Sequence, residues 1–260
     1  MGELRITLAR HATLLVSMAQ TRILVDPMLG PAGGQPPIPE TPNPRPNPLV
    51  ELPMPAGALV LDLDLAVVTH LHPDHLDREG AQALVGGPSV LCQGREAPAL
   101  EQLGLAAEPL DAPRPAGGVT ITPTGGRHGH GPVGQEMGPV MGLVIEAPEH
   151  PVLYVAGDTV WCEEVERALG EHGPDVVVVN AGSPSFVGTE PITMNAADVV
   201  AVARAAPEAV VVPVHLEAFN HCVEDRAALR AAVDAAGVGE RVHIPADGET
   251  LALTVSQEAG

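Results

Sequence analysis

The side chains best suited to chemistry in this sequence are three histidines and an aspartate that fall within six residues. They form the segment His70-Leu71-His72-Pro73-Asp74-His75. An apolar run at 65–68 precedes the segment and predicts a buried strand. Alternate side chains of an extended chain point the same way, and Pro73 favours a turn that brings the last two polar residues back. Imidazole and carboxylate are ligands of zinc, iron and manganese, and crowding them without a cation would be costly. The segment therefore predicts a metal site.

Three later groups of polar residues also follow predicted strands. These are the glycine-rich segment Arg127-His128-Gly129-His130, the turn Gly157-Asp158-Thr159, and His215. Glycine lets the backbone approach a ligand closely, so either His128 or His130 could be a further ligand. A carboxylate just past a strand end, as Asp158 is, is well placed to bridge two cations.

The His-x-His-x-Asp-His motif and the order of the motifs after it resemble the metallo-β-lactamase superfamily. The resemblance covers most of the chain and implies an α/β fold, a four-layer αββα sandwich with mixed sheets. It also implies two divalent metal ions, with Zn²⁺ favoured over Mn²⁺ or Fe²⁺. The implied metal ligands are His70, His72 and His128 for one ion, Asp74, His75 and His215 for the other, and Asp158 between them. Asp74 would also be catalytic, as the proton carrier for the leaving group.

Both ends of the sequence resemble the branch that contains the L-ascorbate-6-phosphate lactonases. The opening is Arg10-His11-Ala12-Thr13 followed by Ile23-Leu24-Val25-Asp26-Pro27, and the ending runs from Pro213 to His221. Arg10 stands where glycine is usual. The predicted substrate-binding residues are His11, Arg127, His130 and His221. The alternatives are a strand-end histidine bonded to backbone and a solvated loop arginine.

Regular elements are predicted on both sides of a proline-rich segment. Strands are expected near 4–8, 22–25, 65–68, 89–92, 119–122, 140–146, 152–156, 175–179, 209–214, 241–244 and 250–255. Helices are expected near 76–85, 96–103, 161–169, 194–206 (capped by Thr193) and 224–236. Residues 31–55 hold ten of the 28 prolines and cannot form a regular helix or sheet. We predict one domain over 1–260, in which this insertion is a lid, an oligomer contact or a disordered loop.

Composition limits the partners. The formal net charge of −20 disfavours nucleic acid and anionic membrane, and the absence of lysine excludes Schiff-base chemistry. Three distant cysteines predict no disulfide, and no apolar run approaches about 20 residues. We expect a cytoplasmic protein with a small-molecule substrate and a possible homo-oligomeric state.

The expected activity is metal-dependent hydrolysis. A dinuclear site with a metal-bound hydroxide would cleave a small ester, lactone or phosphoester. Two alternatives are a phosphodiesterase acting on phospholipid or cyclic nucleotide, and a mononuclear iron oxygenase on the same fold.

Overall fold

The computed structural model describes residues 2–254, which form two β-sheets packed face to face. The strands are β1 Glu3–Arg10, β2 Thr13–Met18, β3 Thr21–Val25, β4 Leu65–Val68, β5 Ser89–Cys92, β6 Ala107–Pro109, β7 Arg114–Ala116, β8 Val119–Thr124, β9 Gly142–Glu146, β10 Leu153–Val155, β11 Val176–Asn180, β12 Val210–Val214 and β13 Thr250–Thr254. The helices are α1 Ala56–Val60, α2 Arg78–Leu84, α3 Ala97–Gln102, α4 Gly131–Met137, α5 Glu163–His172, α6 Ala196–Ala205 and α7 Arg226–Ala235.

Both sheets are mixed. The first has the strand order β13-β1-β2-β3-β4-β5-β6, and it is antiparallel up to β3 and parallel beyond it. The second has the order β12-β11-β10-β9-β8-β7, with its parallel pairs at the β12 end. Parallel strands bring several carboxyl ends to one edge of the sandwich, where loops carry the polar motifs.

Alternation along the strands sorts their side chains into two cores. In β4, Leu65 and Val67 enter the layer between the sheets, whereas Ala66 and Val68 face the outer helices. The first sheet packs its outer face on α1, α2 and α3, and the second packs on α5, α6 and α7. The four-layer αββα sandwich that the sequence predicted is therefore confirmed.

One of the predicted strands is absent from the structure. The segment Arg241–Ile244 forms no strand; a 3₁₀ turn occupies Gly239–Arg241, and a single bridge joins Val242 to β12. Arginine side chains bind the carbonyls of Val242 and Pro245, so these groups are not offered to a strand ladder. The predicted strand 250–255 is confirmed over Thr250–Thr254, and Val255 lies outside the described residues.

The predicted cap of α6 was also wrong. Asn195, not Thr193, caps the helix, because its side chain accepts from the backbone N–H groups of Ala197 and Asp198. The Thr193 hydroxyl is buried without a hydrogen-bond partner.

We expect Asn195→Ala to lower the free energy of unfolding by about 1 kcal/mol, because two N–H groups lose their acceptor. Thr193→Val, which removes only an unpaired hydroxyl, should stay within about 0.5 kcal/mol of the wild type. Urea denaturation of both variants measures the difference. An equal loss in the two variants would contradict the assignment of Asn195 as the cap.

The proline-rich segment 31–55 contains no helix or strand, as its composition predicted. Its one bridge pairs Gln35 with Asn47. None of the helices in residues 2–254 has the length and apolar character that crossing a bilayer requires.

Candidate metal centre

The seven predicted metal ligands meet at one edge of the sandwich, beyond the ends of β4, β8, β10 and β12. They fall into two groups of donors, His70, His72 and His128, and Asp74, His75, Asp158 and His215. Within each group the donor atoms lie within 4.8 Å of one another. Six of the seven residues are buried, and His72 is half-buried.

The first group consists of three imidazole nitrogens. The Nε2 atom of His70 lies 2.9 Å from Nδ1 of His72, and Nε2 of His128 lies 3.3 Å from the same Nδ1. A tetrahedral zinc with Zn–N bonds of about 2.0–2.1 Å sets its nitrogens about 3.4 Å apart. The three histidines therefore fit one face of a zinc coordination sphere.

Asp158 faces both groups. Its Oδ2 lies 3.4 Å from Nε2 of His128 and 3.2 Å from Nε2 of His75. Its Oδ1 lies 3.6 Å from Nε2 of His215. Asp74 completes the second group, with its Oδ2 3.3 Å from Nε2 of His215. This placement suits one carboxylate for bridging two cations.

Orphaned atoms provide a direct test of whether a metal fits. The Nε2 atoms of His75 and His215 are buried, and neither has a hydrogen-bond partner. A buried polar atom without a partner is costly, whereas a cation would use its lone pair. The donor set is nitrogen and oxygen throughout, which suits Zn²⁺ and other divalent transition metals. The residues fit metal ions.

Asp26, at the end of β3, orients His75. One carboxylate oxygen accepts from the Thr69 hydroxyl at 2.8 Å and lies 2.7 Å from Nδ1 of His75, and the other accepts from the Thr69 N–H. A carboxylate only accepts, so Nδ1 of His75 carries the hydrogen and Nε2 is left free to bind a cation. The sequence had indicated this residue only as part of a motif. Its place at a strand end on the same edge was the available signal.

Backbone and amide groups orient two other candidate ligands. Nδ1 of His128 lies 2.9 Å from the Ile192 carbonyl, which leaves its Nε2 directed into the cluster. The Asn180 amide, at the end of β11, donates to Oδ1 of Asp158 at 2.6 Å. Asn180 is a further supporting residue whose role the sequence did not reveal.

The cluster has excess negative charge that must be balanced. Burial alone would raise the pKa of Asp158, but His75 and His215 outweigh it and hold that pKa well below its usual range. Burial alone would lower the pKa of His215, but Asp158, Cys222 and Asp74 raise it to about 10. The carboxylates thus attract positive charge to this site, whether as protons or as metal ions.

A cavity of about 220 Å³ opens onto the cluster. Its polar lining consists of His72, Asp74, His128, Asp158 and His221. Its apolar lining consists of Ile38, Pro39, Pro73, Met137, Phe186 and Ile192. No arginine is among the described residues that line it.

The four predicted substrate-binding residues divide into two pairs. His11 and His221 are buried beside Asp74, with Nε2 atoms 3.2 and 3.5 Å from its Oδ2. His11 also stacks on Phe219, with ring centroids 4.8 Å apart. Of the two, only His221 lines the cavity.

Arg127 and His130 are not brought to the cluster. Arg127 is exposed and binds Glu163 and Glu164 at the start of α5. His130 is exposed at the start of α4 and lines a separate hollow with Asp198. Of the two glycine-flanked histidines, it is His128 that joins the cluster.

A protein-family profile and a known protein sequence both match most of this chain. The profile of the family described as a beta-lactamase superfamily domain matches residues 21–216. The UPF0173 protein YddR of Bacillus subtilis (strain 168) is 35% identical over 251 residues, which cover 95% of this chain and 99% of that protein.

Two solved structures resemble the whole chain. One is the isothiocyanate hydrolase from Delia radicum gut bacteria, with 31% identity, a TM-score of 0.91 and coverage of 96% of this chain and 100% of that chain. The other is a possible metal-dependent hydrolase from Veillonella parvula DSM 2008, with 30% identity, a TM-score of 0.91 and coverage of 95% and 98%.

Proposed function

Because the chain belongs to the beta-lactamase superfamily and is a metal-dependent hydrolase of that fold, we propose that it uses two divalent metal ions to hydrolyse a small, neutral, apolar compound at an electrophilic carbon. The reactive group would be an isothiocyanate, an ester or a lactone. The seven residues of the two donor groups would hold the ions, with Zn²⁺ as the best-suited metal. The particular resemblance to the lactonase branch stays a prediction.

The observation that carries this proposal is that the cluster lines part of a small cavity whose other lining residues are mostly apolar. Four of the lining residues belong to the two donor groups, His221 lies beside Asp74, and the others are apolar or proline. Apolar walls favour an uncharged substrate, and a few convergent polar groups fix its orientation. The resemblance to an isothiocyanate hydrolase over nearly the whole chain supports the same substrate class.

A phosphoester is less well served by this cavity. Phosphate recognition normally uses arginine, lysine or a helix N-terminus. The described lining offers no cationic side chain other than histidine, and Arg127 is paired with two glutamates outside it. The phosphodiesterase alternative therefore has no structural support of its own.

The protein groups would act around the reacting carbon in distinct roles. When bound, the metal ions polarise the attacked group and lower the pKa of a water molecule. Asp74 faces the cavity and would carry a proton at Oδ2 for the leaving atom. His11 and His221 lie within 3.2 and 3.5 Å of that oxygen and would hold the carboxylate in place. Ile38 and Phe186 would exclude bulk water from the apolar side.

Elemental analysis and a substrate panel test this function together. Protein purified without chelator should contain about two divalent ions per chain. The panel consists of allyl and benzyl isothiocyanate, phenyl acetate, a γ-lactone and bis(4-nitrophenyl) phosphate. We expect at least one neutral carbon substrate to exceed the phosphodiester by about tenfold or more in kcat/KM.

The control for the panel is the chelated protein, which should lose hydrolysis and regain it when Zn²⁺ is restored. Preference for the phosphodiester would contradict the proposed substrate class. One iron per chain, with oxygen uptake and no hydrolysis, would favour the oxygenase alternative instead.

A further inference from the structure

We propose that the proline-rich segment 31–55 sets the largest apolar group that the site accepts, with Ile38 as the specificity-determining residue and Asn220 as the positioning residue that fixes it. This inference rests on the proposed function, because it assigns a size limit to the substrate of that same site. The segment contributes Ile38 and Pro39 to the apolar lining of the cavity that opens onto the metal cluster.

Asn220 is fully buried, and its side chain forms its hydrogen bonds with residues of the proline-rich segment. Its Oδ1 accepts from the N–H of Ile38 at 3.1 Å and from Nδ2 of Asn47 at 2.8 Å. The two hydrogens of its Nδ2 are shared among three acceptors, the Ile38 carbonyl at 3.1 Å, the Thr41 hydroxyl at 2.6 Å and the Asn43 carbonyl at 2.8 Å. Its backbone N–H donates to Oδ1 of Asn47 at 2.9 Å. One asparagine thus holds both the donor and the acceptor of Ile38.

Asn220 belongs to the loop that follows β12, beside the metal cluster. Asn220 lies between Phe219, which stacks on His11, and His221, which lines the cavity. The Leu49 N–H donates to the Ala218 carbonyl at 2.7 Å, so the far end of the segment is fixed to the same loop. The wall and the metal-binding loop are therefore held in one fixed relation.

A second loop lines the same cavity. The Val187 N–H donates to the Glu40 carbonyl at 2.7 Å, which joins the segment to the loop that bears Phe186. Ile38 and Phe186 thus come from two loops that are hydrogen-bonded to each other, and both line the cavity. If Ile38 moved away from the cavity, its hydrogen bonds to Asn220 would break. If the two loops separated, the hydrogen bond between Val187 and Glu40 would break.

The volume of the cavity, which is partly open to solvent, sets the expected limit. An engineered apolar protein cavity of about 150 Å³ holds benzene. The cavity here is about 220 Å³, so it has room for the reactive group and one ring or a short alkyl chain. A longer chain would have to displace Ile38 or extend into solvent, where an added methylene is no longer buried. The structure therefore assigns substrates with a single small apolar group.

Binding of alkyl hydroxamates to the zinc-loaded protein tests the limit without relying on turnover. A series from acetohydroxamate to decanohydroxamate, measured by calorimetry, varies only the apolar chain. We expect the affinity to rise about fourfold for each buried methylene. Beyond the limit, each added methylene should bring no gain or a loss.

Changing Ile38 should move the limit in opposite directions. Ile38→Ala should move it outward by two or three carbons, roughly the length of the side chain removed, and Ile38→Phe should move it inward. Val187→Ala is the matched control, because Val187 is 69% exposed on the same loop as Phe186 and does not line the cavity. The control should keep the wild-type limit.

Asn220→Ala should flatten the chain-length profile while the zinc content is kept. A purely structural role would lower Tm without changing the profile. If Asn220→Ala does not fold, the opposed Ile38 variants still decide the question.

The inference would be overturned if both Ile38 variants kept the wild-type chain-length limit. It would also be overturned if the wild-type protein showed no such limit, or bound no hydroxamate of any length. A length limit that follows Ile38 in a protein that hydrolyses none of the panel would count against the proposed function alone.

Discussion

Replacing Asp158 by alanine is expected to lower hydrolysis by at least about 10³-fold and to reduce the metal content from about two ions per chain to one or fewer. Metal ions contribute several kcal/mol of transition-state charge stabilisation, and each 1.4 kcal/mol corresponds to about a tenfold change in rate. Single-turnover assays and elemental analysis of the same preparation measure the two effects.

The size of this effect follows from the position of Asp158 between the two donor groups. Its Oδ2 lies 3.2 Å from Nε2 of His75 and 3.4 Å from Nε2 of His128, so one oxygen serves both groups. Loss of Asp158 also leaves the Asn180 amide without its acceptor.

Glu171→Ala provides the control, because it removes an exposed carboxylate from α5 that belongs to neither donor group. It should leave metal content and rate unchanged. If Asp158→Ala retained two tightly bound ions, the assignment of Asp158 as the shared ligand would be wrong.

The sequence predicted much of this arrangement because short-range rules apply to it. Strand alternation and the end of β4 placed His70 and His72 together, and the resemblance to the metallo-β-lactamase superfamily implied that the later motifs at strand ends join the same site. The β-branched run at 175–179 predicted a strand buried on both faces, and β11, at Val176–Asn180, is fully buried.

What the sequence could not supply depends on long-range contacts. Spacing alone did not show which of His128 and His130 joins the metal cluster, since only one glycine lies between them. The Ile192 carbonyl orients His128, and no hydrogen bond within residues 2–254 orients the side chain of His130. From the sequence alone, Arg127 could equally have bound a substrate. In the structure it binds Glu163 and Glu164 instead.

The role of Asn220 shows the same limit. Its side-chain hydrogen bonds join residues 173 to 182 positions apart in the sequence, and no local pattern predicts them. The proline content of 31–55 correctly excluded regular structure. Whether the segment would be ordered depended on a buried partner elsewhere in the chain.

Asp26→Asn should weaken metal binding by about 10- to 100-fold, the usual effect of removing a group that orients a ligand. In the wild type the carboxylate accepts from the Thr69 N–H, the Thr69 hydroxyl and Nδ1 of His75. An asparagine has one oxygen, so in either orientation its NH₂ group faces a hydrogen-bond donor. If it faces His75, the imidazole is driven to carry its hydrogen on Nε2, the atom that must bind the metal.

Competition between the protein and a chelating dye, measured for each ion, tests this prediction. The ion held by Asp74, His75 and His215 should be lost first, whereas the one held by His70, His72 and His128 should be less affected. Asp64→Asn is the matched control, because the exposed Asp64 carboxylate accepts a single backbone N–H, that of Arg22, which an asparagine oxygen can still satisfy. Equal weakening of both ions in Asp26→Asn would indicate that the residue supports the fold of the loop rather than the tautomer of His75.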